Sequence, residues 1–250
     1  MRSTSTNQRV DAVIDAHNKV FAKIMCGDGW ETALILLNMG TGSLTFRQFF
    51  KDADGSPMPV TFRGYPQPQV TTAPTAEGTL TPNSTVTLTI FDDKAPLREG
   101  WSVLSYDEGQ GRLGGYAIIR RRARTGDFDF EAIIPLSSMQ DFSLYIPFDN
   151  TQGFRTQLTL LNPASNLAAQ VRLAYLSVGG ELLLIDSVVM KPGQQMTLVI
   201  PDTYPDLANK MGTVMVEANT NRFSATGLRY NPASGAIASV PPMNWSGMLQ

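Results

Sequence analysis

The alternation of apolar and polar residues along the chain has the period of strands. Between positions 29 and 38, Thr32, Leu34 and Leu36 alternate with Ala33, Ile35 and Leu37. This nearly continuous apolar run suits a strand covered on both faces. Thr85-Val-Thr-Leu-Thr-Ile alternates more cleanly, with Val86, Leu88 and Ile90 on one face and threonines on the other. That pattern belongs to a sheet with one wet side. Asp54-Gly55, Gly179-Gly180, Lys191-Pro-Gly193 and Asn231-Pro-Ala-Ser-Gly235 punctuate the strands and read as hairpin turns. Two stretches read as helix: Val10–Lys19 as a short leader, and Tyr204–Met211 as a single turn between strands.

The strand pattern occurs twice. Gly29-Trp-Glu-Thr-Ala-Leu-Ile-Leu-Leu-Asn38 aligns with Gly153-Phe-Arg-Thr-Gln-Leu-Thr-Leu-Leu-Asn162, pairing Trp30 with Phe154 and Asn38 with Asn162. In the same order, Leu80–Asp92 matches Met190–Asp202, Gly100–Leu104 matches Gly212–Val216, Ile119-Arg120 matches Leu228-Arg229, and Ala132–Pro135 matches Ala238–Pro241. Ordered, ungapped blocks of this kind mark a tandem duplication. They divide the chain into a tail (1–18), a first copy (19–138), a second copy (139–245) and a short tail (246–250), with a joint near Ser137–Asp141. Each copy yields about seven short strands at turn spacings of roughly 8–12 residues, which predicts a β-sandwich. The alignment offset falls from 124 at Gly29 to 110 at Leu80, so the first copy carries 14 additional residues. They lie in the Pro-rich stretch 58–78, which reads as an extended, exposed loop of the kind that carries recognition.

Composition narrows the chemistry. The 250 residues include 20 Lys+Arg and 22 Asp+Glu, a net charge of −2, and 42% are hydrophobic against 17% charged. The apolar content supports packed cores, and the near-neutral charge argues against nucleic acid as a partner. No run approaches the roughly 18 apolar residues of a membrane-spanning helix, and no secretory signal peptide is visible at the N-terminus. One cysteine, Cys26, and one histidine, His17, leave no disulfide framework, no Cys-based zinc site and no Ser-His-Asp set. Cys26 reads as a small buried side chain at a strand end.

These blocks resemble the Ig-like β-sandwich repeats that recur, often in tandem, in exported bacterial proteins. The motifs carrying the likeness are Phe148-Asp-Asn150-Thr-Gln-Gly153-Phe154, Asn162-Pro163 and Gly227-Leu-Arg229-Tyr-Asn231. The first copy diverges, with Cys26-Gly-Asp28, Asn38-Met39 and Arg120-Arg121 at the corresponding places. The resemblance covers about residues 20–243. It implies secretion or surface display and a non-catalytic accessory role, and it transfers no catalytic residue. The fold expected is all-β: two tandem Ig-like antiparallel β-sandwich domains with an N-terminal tail or short helix.

The favoured function is then a non-catalytic, extracellular or cell-surface structural or adhesive module without a cofactor. It self-assembles into an oligomer or filament through sheet edges or the N-terminal tail. The alternative is a carbohydrate-binding module that reads a surface glycan with Tyr65, Trp101, Tyr106 and Tyr116. Trp30 and Phe154 read instead as core, because they align. Asp52 and Asp54 resemble the start of a calcium loop, but the twelfth position from Asp52 is Arg63 rather than Glu, so a hairpin tip is the better reading. Asp28 and Asp149-Asn150-Thr151, at matching opening motifs, read as Asx turns. Arg120, Arg121, Arg122 and Arg124 are expected to pair across a hairpin with Asp127, Asp129 and Glu131. Arg120 and Arg229, together with Gly29, Trp30, Asn38, Gly153, Phe154 and Asn162, form the expected structural repeat motif.

Overall fold

The computed structural model describes residues 18–65, 69–92, 95–107, 112–122, 128–138 and 142–244. In the N-terminal half the strands are β1 (Lys19–Cys26), β2 (Trp30–Asn38), β3 (Leu44–Asp52), β4 (Val60–Tyr65), β5 (Val70–Ala73), β6 (Thr75–Leu80), β7 (Thr85–Phe91), β8 (Arg98–Tyr106), β9 (Leu113–Arg122) and β10 (Phe128–Pro135). In the C-terminal half they are β11 (Ser143–Asp149), β12 (Arg155–Leu161), β13 (Ala169–Ser177), β14 (Leu182–Met190), β15 (Gln195–Val199), β16 (Met211–Ala218), β17 (Ser224–Tyr230), β18 (Ile237–Val240) and β19 (Met243–Asn244). A 3₁₀ turn (Pro205–Leu207) supplies the single turn predicted over Tyr204–Met211; helix α1 (Ile200–Thr203) precedes that stretch, and Met211 begins β16. Most of the predicted leader helix lies outside the described residues; its last residue, Lys19, begins β1.

The strands form four antiparallel sheets, ordered β1-β8-β3-β6, β10-β9-β2-β7-β4-β5, β14-β13-β16-β11-β19 and β15-β12-β17-β18. Taking β1 as the counterpart of β11, and so on in chain order, the second half repeats the strand order of the first. The additions are the β4–β5 hairpin and β19. The stretch read as an exposed loop is therefore largely sheet. Val60 and Phe62 turn inward at 2% and 8% exposure, and β4 joins the free edge of β7. Proline content hid the period-two pattern of Val60 and Phe62.

Three polar or backbone devices recur at matched positions. The Thr32 hydroxyl receives the Met25 N–H (2.8 Å) and donates to its carbonyl (2.7 Å); Thr156 does the same with Asp149 at 2.9 and 3.1 Å. The buried Asn38 amide donates to the carbonyls of Gly42, Leu80 and Thr81, and Asn162 donates to those of Leu167, Met190 and Lys191. Each asparagine ties the end of its strand to two other chain segments, satisfying carbonyls that would otherwise be buried without donors. Gly100 and Gly212 sit where a Cβ would collide with the carbonyls of Lys51 and Leu176, so neither strand tolerates a side chain there.

Each half has its own core. One joins the two N-terminal sheets through residues such as Phe21, Phe50, Leu34, Ile90 and Ile119. The other joins the two C-terminal sheets through Ile146, Phe148, Leu173, Tyr175 and Val216. A third cluster, Val20, Ala22, Phe49, Trp101, Val103 and Leu161, packs the outer face of the β1-β8-β3-β6 sheet on that of the β15-β12-β17-β18 sheet. A bulge interrupts the β1–β8 ladder between Phe21 and Ile24. Within it, the Ala22 carbonyl accepts from the Gln195 amide at 2.6 Å, and the same amide reaches the Gly100 carbonyl at 2.8 Å. Gln195 is 6% exposed, and its backbone N–H donates to the Ala53 carbonyl at 2.7 Å.

Replacing Gln195 with Leu strands two buried carbonyls. We expect a stability loss of about 2–4 kcal/mol in urea unfolding, against less than about 0.5 for Ala at the exposed Gln170.

Candidate functional site

Trp30 opens β2, directly after a turn in which it and Gly27 exchange backbone hydrogen bonds of 2.9 and 3.1 Å. In the ladder it faces Arg121 of β9, which faces Phe130 of β10 on its other side, so the three form one row across the sheet. The Trp30 and Phe130 rings are nearly parallel, 16° apart in plane and 6.2 Å between centroids, and the Arg121 guanidinium lies 5.6 Å from the Phe130 centroid. The row forms one wall of a cleft of about 320 Å³ between the halves. The other wall comes from Gln157, Leu228, Tyr230 and the turn from Asn231 to Ala236. Gly235 allows that turn to close on the row: its φ is +75°, and a Cβ there would stand 2.5 Å from a Phe130 ring carbon.

The cleft is apolar with a cationic bias. Lys23 and Arg121 line it, and no carboxylate does among the described residues. The Lys23 ammonium, 1% exposed, is bound to Glu99 at 2.7 Å. Burial lowers its pKa, and the Glu99 charge works against that shift. The Gln157 Nε2 is buried without a hydrogen-bond partner among the described residues.

The residues singled out from sequence do not gather at one place. Trp101 is 2% exposed and belongs to the packing between the halves, so its ring is not a surface platform. Tyr106 packs against the N-terminal core, and Tyr116 is 38% exposed on β9. The side chain of Tyr65 lies outside the described residues. A second hollow, of about 290 Å³, lies beside the inserted hairpin between Phe46, Phe62, Gly64 and Val86. Trp30 and Phe154 are half-buried rather than fully buried: Trp30 packs against the N-terminal core while lining the cleft, and Phe154 lies under the Arg229 guanidinium at 3.3 Å. Alignment implied a buried role because the aromatic follows the same glycine, but both precede the first inward position of their strand.

Arg120 and Arg229 are not structural counterparts. Arg120 stands opposite Glu31, whereas Arg229 stands opposite Thr156, the partner of Thr32; by register Arg229 takes the place of Ile119. Arg120 and Arg122 both reach the buried Glu31 on β2, at 2.5 and 3.4 Å, and β9 and β10 pair as the expected hairpin with Glu131 opposite Arg120. Arg124, Asp127 and the side chain of Asp129 lie outside the described residues. Asp52 pairs with Arg98 at 3.5 Å, and Asp54 caps the Ser56 N–H at 2.9 Å, as a tight turn requires. Among the described residues no three His, Cys, Asp or Glu side chains are placed to share a metal ion. Cys26 is 1% exposed, and burial raises its pKa to about 11. No helix among the described residues is long and apolar enough to cross a membrane.

Asp149 is held by its neighbours as a carboxylate. Burial pushes its pKa up, but the Thr151 hydroxyl and N–H and the Arg229 guanidinium outweigh burial and leave it below the usual aspartate value. No family model matches the chain, and no curated protein matches it.

Two outcomes follow from this geometry. The Asp149 contribution is present above the unfolded aspartate pKa and is lost as pH falls through the lower folded value. Asp149→Asn should therefore reduce stability near neutrality and flatten the loss on acidification, as read by denaturant unfolding across the acid range. Gly235→Ala should lower stability by about 1–3 kcal/mol through positive-φ strain and displacement of Phe130, read as a lower Tm.

Proposed function

We propose that the chain is a pair of Ig-like β-sandwich domains, 19–138 and 139–245, acting as a non-catalytic, extracytoplasmic structural or adhesive module that self-assembles through a sheet edge. The observation that carries this reading is β14. It is nine residues long and lies at the end of its sheet, so one side of its backbone has no ladder partner among the described residues. Leu182, Ile185 and Val189 on it are 57%, 46% and 68% exposed. Soluble proteins usually protect such an edge with lysine, proline or a short strand, and β14 contains no Lys or Pro.

The face beside the edge is apolar as well. Ladder register sets Ile185 in a row with Ala174, Met215, Tyr145 and Met243 across all five strands. The one acid of β14, Asp186, accepts from the Tyr204 hydroxyl at 2.6 Å. A second copy pairing antiparallel about Ser187 sets Ile185 against Val189 and keeps the two Asp186 side chains from facing each other. The repeated strand order and the sheet-on-sheet cores support the two-domain reading. The buried, unreactive thiol of Cys26 is suited to an oxidising compartment.

Sedimentation velocity tests the assembly. The wild-type chain should form dimers or larger species, and Ile185→Lys combined with Val189→Lys should return it to monomer with an unchanged circular dichroism spectrum. A wild-type chain that stays monomeric at every concentration overturns the reading.

A further inference from the structure

We infer that the cleft between the halves is a binding site for a small organic acid, one whose carboxylate is carried on a ring. The inference does not depend on self-assembly, because the cleft and β14 share no residue. Its volume of about 320 Å³ lies at the lower end of ligand sites, the size of a one-ring molecule. The Trp30 and Phe130 rings and the apolar surfaces of Leu228 and Ile237 offer contact to a flat or faceted body.

The polar groups select the charge. Arg121 contacts the Phe130 ring and has no ion-pair partner among the described residues. Its guanidinium is therefore a permanent cation at the cleft wall, oriented by the ring it lies against. Gln157 lines the cleft, and its Nε2 is buried without an acceptor among the described residues; a rotation of the side chain presents its two N–H groups to a ligand. A buried donor left unpaired carries a desolvation cost that an acceptor on a ligand removes. The third polar group, Lys23, is paired with Glu99 at 2.7 Å, so its charge is balanced and Arg121 carries the selection for an anion. Donors and cations without an opposing lining carboxylate favour an anion over a neutral molecule and reject a cation.

Two kinds of molecule carry this chemistry: an aromatic carboxylate and a uronic acid. Benzoate and glucuronate are the probes, with benzyl alcohol and glucose as their uncharged counterparts, each titrated calorimetrically into the full chain. At least one of the two acids should bind saturably and its uncharged counterpart should not, and added salt should weaken the binding. Benzoate alone identifies the aromatic source, and glucuronate alone the sugar source. Arg121→Gln should weaken the acid by about tenfold or more while leaving Tm unchanged. Gln157→Glu, which presents a carboxylate in place of the donor, should abolish binding. Trp30→Phe keeps a ring in the wall and should retain binding while removing the ligand-induced change in tryptophan fluorescence. The inference is overturned if neither acid binds, if acids and uncharged counterparts bind alike, or if Arg121→Gln binds as tightly as the wild type.

Discussion

The arrangement of the molecule rests on how the Gln195 amide meets the bulge in β1. A regular ladder would leave the Ala22 carbonyl no reason to look toward the other half. The break in register between Phe21 and Ile24 frees it, and one side chain then bridges Ala22 and Gly100 from a strand more than ninety residues away. Both carbonyls are buried by the contact that Gln195 makes possible, so the bond and the burial depend on each other. Six apolar side chains form a separate cluster between the two facing sheets, against twenty-three and seventeen in the two larger clusters among the described residues, the first of which also takes in Leu228 of the C-terminal half. A small apolar area sets no unique angle between two sheets. The Gln195 amide adds a directional contact to it, as do the Ile133 N–H on the Ser239 hydroxyl and Leu228 packed into the N-terminal core, and the walls of the cleft come from both halves.

The duplicated frame shows which parts of a sandwich resist change. Thr32 and Thr156, Asn38 and Asn162, and Gly100 and Gly212 keep their jobs because each satisfies or avoids a particular backbone carbonyl. Backbone geometry is common to both copies, so the solution is too. Charged groups follow no such rule. The buried Glu31 gathers two arginines of β9, whereas Asp149 holds Arg229 against Phe154 at the end of another sheet. No shared backbone group fixes these pairs, so their positions differ between the halves.

This difference explains what was legible in the sequence. Strands were legible because alternation is local, and the repeat was legible because its fixed residues serve the backbone. Strand pairing was not. The turn at Gly179-Gly180 joins paired strands, but those at Asp54-Gly55 and Lys191-Pro-Gly193 carry the chain into the opposite sheet. Glycine and proline specify a reversal of direction and say nothing of which sheet receives the next strand. The Arg120–Arg229 match failed for a related reason: a one-residue slip preserves the letters and reverses the face. Trp101 was read as exposed because its strand has a core face and an outer face, and only the assembled molecule shows that the outer face is covered. Phe130 and Gln157 carried no signal, since a cleft between segments far apart in sequence has no local pattern.

The covering of those outer faces also accounts for the low charge. In an isolated sandwich the outer face is wet, and lysine, glutamate and arginine occupy it. Here two of the four sheets are covered on both faces, and their outer positions hold Val20, Ala22, Phe49, Val103, Thr159 and Thr226, all at most 8% exposed. The threonines are the informative members. They fit a half-polar surface that meets another half-polar surface, where a charge would need a partner and a large apolar side chain would expose the separated halves to aggregation. Thr226 Oγ1 and Trp101 Nε1 remain without hydrogen-bond partners there among the described residues. Each half is thus stabilised by its own core, and the contact between them fixes orientation. An architecture of that kind places the stability of the molecule within the sandwiches and leaves the surface between them to hold the cleft.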